Sequence, residues 1–338
     1  MKRVLLIAQI AHTNAVPNGV NIKNTHILKY LQNQNHIKLT VLNTSNWKSH
    51  AILLMFRLLY GLFKHDTLIL SINTNSAYKI IKLCHWLKQK HKLLYIAVGG
   101  QLPDKLKSKT LKSSYYQGLA QIFVQTKTMA EDLKALSLNH TTWMNNSKYF
   151  PKIDIDYSRK PSLPLKCFYL GRIHPEKGIE LIFAALKDAS LAFTVDFFGP
   201  IEPAYETDFY AQIKENDHAH YHGVIDLNEN AESYQTLSQY DLFLFPTHWH
   251  GEGFPGVIID AFISGVAVLA SDWQHNHAVV QNKVNGCLFE AKSLSDFKEK
   301  LSTLIHAPET VQSMKHHAFN EAKLYHSSVV LKKLDKYL

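Results

Sequence analysis

The chain has 338 residues, 46% of them hydrophobic, which suits two domains of roughly 150 residues each with a buried core. Its three cysteines, at 84, 167 and 287, are odd in number and far apart, which argues against a disulfide framework and for reduced thiols in a cytoplasmic protein. The net charge of +9 is divided unevenly: residues 1–150 hold 20 Lys+Arg against 4 Asp+Glu, the remainder 17 against 24, so the first half is expected to face something anionic.

The apolar start of the chain is broken by Gln9 and His12 and reads as a first buried strand, not a signal peptide. Strands are predicted at 4–10, 37–42, 68–72, 93–98 and 122–125, with helices at 20–34, 51–63, 77–90, 106–118 and 128–136. The apolar run at 51–63 contains Arg57 and is shorter than the about 20 residues that span a bilayer. Residues 151–164 are polar and proline-rich and are assigned as a linker between a first domain at 1–150 and a second at 165–309. Asp154 and Asp156 lie in that linker and read as a solvated pair. The second domain repeats the alternation, with strands at 167–170, 193–198, 219–222, 242–245, 266–270 and 287–289. Its helices are predicted at 179–189, 206–216, 229–239, 256–264 and 294–305, and a helical tail occupies 310–338. The fold class expected is α/β, with two doubly wound parallel sheets.

Open α/β sheets bind ligands beyond the carboxyl ends of their strands, so the loops there carry the candidate chemistry. Gly19, in Pro17-Asn18-Gly19-Val20, opens a helix whose amino end favours an anion. Arg172 and Lys177 flank a turn, Gly171 to Gly178, and offer a guanidinium fork and a point charge to a diphosphate. In the stretch 241–273, a strand ends at Pro246 and a helix begins near Pro255, with free amides expected at Gly256 and Val257. Glu252 precedes that helix and Asp260 lies within it. Two carboxylates flanking a phosphate-binding helix start suit sugar hydroxyls, each accepting directional, charge-assisted hydrogen bonds.

These residues resemble the retaining GT-B glycosyltransferases of family 4, the group with many capsule and exopolysaccharide enzymes. The resemblance rests on Glu252 and Asp260, spaced as in the family's Glu-x7-Glu signature with Asp in the second place, and on Gly171, Arg172, Lys177, Gly178 and Gly19. It implies two Rossmann-like domains facing across a cleft, with the C-terminal helix packing back on the first. It also implies metal-independent transfer of a sugar from a nucleotide-diphosphate donor, expected to be a UDP-sugar, with no cofactor. By the same likeness Arg172 and Lys177 hold the donor diphosphate, Glu252 contacts the sugar, Gly256 and Val257 bind phosphate, and Asp260 meets the ribose. His250, Gly253 and Phe254 join that donor loop, and Val224 lies near the base pocket. Where many relatives carry a histidine after the fourth strand of the first domain, this chain has Gly99-Gly100-Gln101. Gly99 and Gly100 are therefore the acceptor-side residues, and no acceptor base is assigned.

The acceptor implied is lipid-linked or an oligosaccharide in surface-glycan synthesis. The basic first half and the apolar 51–63 segment suit docking on the anionic inner face of a plasma membrane. No nucleic-acid motif accompanies the charge. Two other readings keep the architecture: a nucleotide-sugar epimerase or phosphorylase, and a non-catalytic nucleotide-sugar-binding partner of another transferase. The 20 histidines, among them His218, His220 and His222, supply no convincing metal ligand set.

Overall fold

The computed structural model describes residues 1–10, 19–45, 47, 50–161, 163–227 and 229–338. Pro17 and Asn18 of the expected glycine loop lie outside them. The chain forms two units, one of Met1–Lys148 with His326–Leu338, the other of Tyr149–Tyr325.

Unit 1 runs β1 (Lys2–Ala8), α1 (Gly19–Gln32), β2 (Ile37–Asn43), α2 (Ala51–Lys64), β3 (Thr67–Ser71), α3 (Thr74–Trp86) and β4 (Leu93–Ile96). It continues through α4 (Leu102–Lys107), β5 (Gln121–Val124), α5 (Lys127–Ala135) and β6 (Thr141–Trp143). The sheet is parallel, in the order β2-β1-β3-β4-β5-β6. Strands β3, β4 and β5 are buried throughout, because helices cover both faces. Buried residues of α2, α3, α4 and α5, such as Leu58, Ile81, Leu106 and Leu133, form the core on one face. Those of α1, such as Ile27 and Leu31, form the core on the other.

Unit 2 runs β7 (Leu165–Leu170), α6 (Ile179–Leu186), β8 (Phe193–Phe198), α7 (Glu206–Lys214), β9 (Ala219–Tyr221), α8 (Ala231–Leu237) and β10 (Leu242–Phe245). After these come α9 (Gly256–Ile263), β11 (Ala267–Asp272), β12 (Gly286–Glu290), α10 (Leu294–Ile305) and α11 (Pro308–Ala322). Its sheet is also parallel, in the order β12-β11-β10-β7-β8-β9. Asp241, at the foot of β10, has a fully buried side chain that pairs with Arg159 at 2.6 Å and Lys315 of α11 at 3.7 Å. That network ties the segment before β7, and the last long helix, to the centre of the sheet.

The two parallel doubly wound sheets are those expected, and the differences are local. The helix expected at 106–118 is α4 followed by a 3-10 turn at Ser113–Tyr115. Between them Lys109 takes a positive φ of 58°, and Ser108 bonds Thr110 (2.9 Å) instead of continuing the helix. Strand β6, only three residues long, was not expected at all. The tail expected from 310 divides later. α11 buries Val311 and Met314 in the core of unit 2. The chain rejoins unit 1 at His326, whose bridge to Lys148 precedes α12 (Ser327–Val330). There Val330, Leu331, Leu334 and Leu338 complete the α1-side core.

Candidate functional site

Two loops leave the carboxyl ends of the neighbouring strands β7 and β10, and each carries part of the expected site. After β7 the chain turns at Gly171 and Arg172, and His174 caps a 3-10 turn, Pro175–Lys177, by accepting from the Glu176 N–H at 3.1 Å. Gly178 then takes a left-handed φ of 72° between that turn and α6. A Cβ there would lie 2.1 Å from the Pro246 carbonyl oxygen, so only glycine lets the two loops approach this closely. Gly199, after β8, is constrained in the same way: its Cβ would fall 1.9 Å from the Gly171 carbonyl oxygen.

The approach joins Lys177 to Glu252. The Lys177 ammonium donates to the Glu252 carboxylate, and both side chains are largely buried. Thr247, fully buried, donates to the same oxygen at 3.1 Å. Its carbonyl accepts from Ser271 of β11 at 2.5 Å, and Asn276 donates to the Ser271 carbonyl at 2.9 Å. The Trp273 indole donates to the Trp249 carbonyl at 2.9 Å. Two of these bonds, from Ser271 and from Trp273, brace the loop carrying Glu252 from β11 and the residue after it, while Thr247 holds Glu252 within the loop and Asn276 steadies Ser271.

Trp249 forms one wall. Lys177 Nζ lies 5.6 Å and Arg172 Cζ 5.9 Å from its ring centre, and His174 packs edge-on at 5.2 Å. Arg172 is half-exposed, and its ion-pair partner among the described residues is Glu202, at 3.6 Å. An exposed pair at that distance holds its partner weakly, so the guanidinium is free to turn toward an anion. His250 packs on Trp273 at 5.2 Å. His248 hangs from the Glu176 carbonyl by its backbone N–H at 2.9 Å. Burial lowers the His248 pKa, with Lys292 adding to the effect.

Pro255 precedes α9, and Gly256 and Val257 are its first residues, half-buried, with N–H groups that no helical carbonyl can reach. Gly253 is half-buried and Phe254 is buried against Tyr325. Asp260 faces inward: it is 2% exposed and accepts from the Tyr234 hydroxyl of α8 at 2.9 Å. Burial, then the Asp260 charge, push the Tyr234 phenol far above its ordinary pKa, so it stays a donor. Val224, one residue past a left-handed Gly223, is exposed.

The remaining predicted residues belong to unit 1. Gly19 is the first residue of α1, and a Cβ there would meet nothing within 4 Å among the described residues. Gly99, with φ 81°, and Gly100 follow β4. Beside them stands a residue that sequence reasoning missed. Lys23 of α1 is buried and donates to the Ala97 carbonyl at 3.2 Å, and burial lowers its pKa to about 7. Tyr234 and Thr247 were missed too. Only Thr247 left a signal, standing between the strand-ending Pro246 and the Glu252 loop.

Other polar clusters are structural. Asp156 accepts from the Ser158 N–H at 2.9 Å and closes a turn. His222 contacts Asp196 at 3.3 Å. Among the described residues, no group of three His, Cys, Asp or Glu side chains is placed to hold a metal ion.

Residues 153–321, half of the chain, match the family model described as glycosyl transferases group 1. No curated protein matches the sequence. Among solved structures, a glycosyltransferase from Rickettsia africae superposes with a TM-score of 0.73 at 13% identity, over 99% of this chain and 97% of that one. The lipopolysaccharide outer core galactosyltransferase WaaB, in its apo form, gives 0.71 at 13% identity over 99% of each chain. HepE of Anabaena, in complex with UDP and glucose, gives 0.69 at 15% identity over 99% of each. At such identities the likeness carries the fold, which is GT-B with two Rossmann-like domains.

Proposed function

The chain belongs to the glycosyl transferases group 1 family, and from that premise we propose that it is a retaining enzyme moving a sugar from a UDP-sugar to a lipid-linked or oligosaccharide acceptor. The observation that carries this reading is the contact between Lys177 and Glu252, which brings the basic turn and the Glu-x7-Asp loop to one place. The HepE structure, with UDP and glucose bound, supports the choice of donor.

In the proposed mechanism the donor diphosphate takes the Arg172 guanidinium, the Lys177 ammonium and the Gly256 and Val257 amides. These cations and oriented dipoles neutralise charge as the nucleotide departs and the anomeric carbon gains oxocarbenium character. An ammonium has three donors, and the bond to Glu252 uses one. Glu252 grips the sugar, and Asp260, oriented by Tyr234, meets the ribose. His250, Gly253, Phe254 and Val224 line the donor's surroundings. Gly19 serves the donor, Gly99 and Gly100 serve the acceptor side, and the acceptor hydroxyl attacks from the face the nucleotide leaves. With Arg172 and Lys177 in this role, the reaction needs no bound metal.

The products belong to surface-glycan synthesis in this reading, and the enzyme works at the inner face of the plasma membrane. A panel of nucleotide sugars, offered to wild type, Glu252→Ala and Lys177→Ala with a membrane extract as acceptor, tests the assignment. Transfer by wild type alone is the expected result. Equal donor turnover in all three, sugar isomerised on its nucleotide, or consumption of phosphate would overturn it.

A further inference from the structure

Helix α2 is apolar on the side it shows to water. Its buried residues are Leu58, Gly61 and Leu62, and Gly61 sits against Leu5 of β1. Ile52, Leu53, Phe56, Tyr60 and Phe63 are 48–77% exposed. At 3.6 residues per turn these five fall within a sector of about 100° directly opposite the buried face. A surface helix normally turns polar residues outward, and a contiguous exposed apolar stripe marks an interaction surface. Among the described residues no helix is long and apolar enough to cross a membrane.

Charge identifies the occupant. α2 holds Arg57 and Lys64, both exposed, and no acid. It shares its face of the sheet with α3 and α4. There Lys79, Lys82, Lys107 and Lys112 are exposed. Acids are few: Asp132 pairs with Lys107 at 2.7 Å, Asp66 with Arg3 at 3.0 Å, and Asp104 stands exposed in α4, so 20 Lys+Arg against 4 Asp+Glu in residues 1–150 leave the field positive, carried on this face by Lys79, Lys82 and Lys112.

We propose that α2 is the membrane-docking helix of this protein, lying in the plane of an anionic bilayer. Phe56, Tyr60, Phe63, Ile52 and Leu53 enter the headgroup–acyl boundary, while the lysines of α3 and α4 engage anionic headgroups. A second copy of the chain fits less well. The stripe is about 21 Å by about 10 Å, on the order of 200 Å² against the about 800 Å² per partner of a standard interface, and two such basic faces repel. Nucleic acid would engage the lysines but leave the aliphatic Ile52 and Leu53 in water. The proposal deepens the transferase reading by naming the surface that meets a lipid-linked acceptor, yet it rests on α2 and not on the donor site.

Flotation of the full chain with phosphatidylcholine vesicles, with and without phosphatidylglycerol, tests it. Wild type should float with the phosphatidylglycerol vesicles and lose that binding as salt is raised. Phe56→Ser should partition at least about tenfold more weakly, with unchanged thermal stability and unchanged UDP-sugar turnover on a soluble acceptor. Lys79→Ser combined with Lys82→Ser should weaken binding to the anionic vesicles. The proposal is overturned if wild type does not float, if Phe56→Ser floats as well as wild type, or if wild type is a dimer that Phe56→Ser converts to monomer. Failure of the transferase reading would show separately, as vesicle binding without turnover.

Discussion

Lys177 and Glu252, 75 residues apart in sequence, form an ion pair that joins the loop after β7 to the loop after β10. Each loop alone has an ordinary reading: two surface cations around a turn, and one acid in a glycine-rich segment. Their meeting makes a site with fixed positive charge beside a carboxylate braced by Thr247. Glu252→Gln keeps the shape and removes the charge, so UDP affinity should change less than tenfold. Turnover should fall about 100- to 1,000-fold, the scale of one lost transition-state contact. Steady-state kinetics beside a UDP titration separates the two effects.

Tyr234→Phe tests how Asp260 is held. The variant removes a hydroxyl donor from a carboxylate that is 2% exposed. It should cost about 1–3 kcal/mol in a urea titration. If Asp260 meets the ribose, UDP should also bind more weakly, while a ligand lacking the ribose should lose nothing.

Gly178→Ala should damage both fold and activity. The left-handed φ of 72° disfavours any side chain, and the new Cβ would overlap the Pro246 carbonyl. The combined cost is on the order of 3 kcal/mol. Urea unfolding should show the loss, and the displaced Pro246 should carry the Glu252 loop away from Lys177 and lower donor turnover.

Lys23 gives a pH signature. Burial lowers its pKa from 10.5 to about 7, so between these values the unfolded chain binds more protons than the folded one. Its contribution to stability therefore rises with pH through that window and is at its minimum below about pH 7. Lys23→Met should be more stable than wild type by up to about 4 kcal/mol at neutral pH. That advantage should shrink steadily as the pH rises toward about 10, as paired urea titrations would show.

Much of this was legible in the sequence because buried parallel strands write themselves as apolar runs. β3, β4 and β5 were each read within a few residues. The failures have local causes. β6 is too short to show a period, and the serine-rich stretch at Lys109 broke a helix that propensity alone would have carried through. At the site, Glu252 and Lys177 stood out by spacing, but Tyr234 did not, since its contact with Asp260 comes from a different helix. Lys23 reads as a solvated helix lysine until packing turns it from α1 onto the Ala97 carbonyl. The apolar run of α2 was plain, but which of its residues face water was not, because apolar side chains line both its buried and its exposed sides and Arg57 and Lys64 lie between the two.

If the basic turn and the Glu252 loop hold a nucleotide-diphosphate donor, UDP binds there and Lys177 contributes to its grip. Calorimetric titration of UDP into wild type and Lys177→Ala, with matching circular dichroism, tests it most directly. Saturable binding to wild type is expected, weakened at least about tenfold in the variant by loss of a charge-assisted hydrogen bond. Binding of equal strength to both proteins, or no binding to wild type, would contradict it.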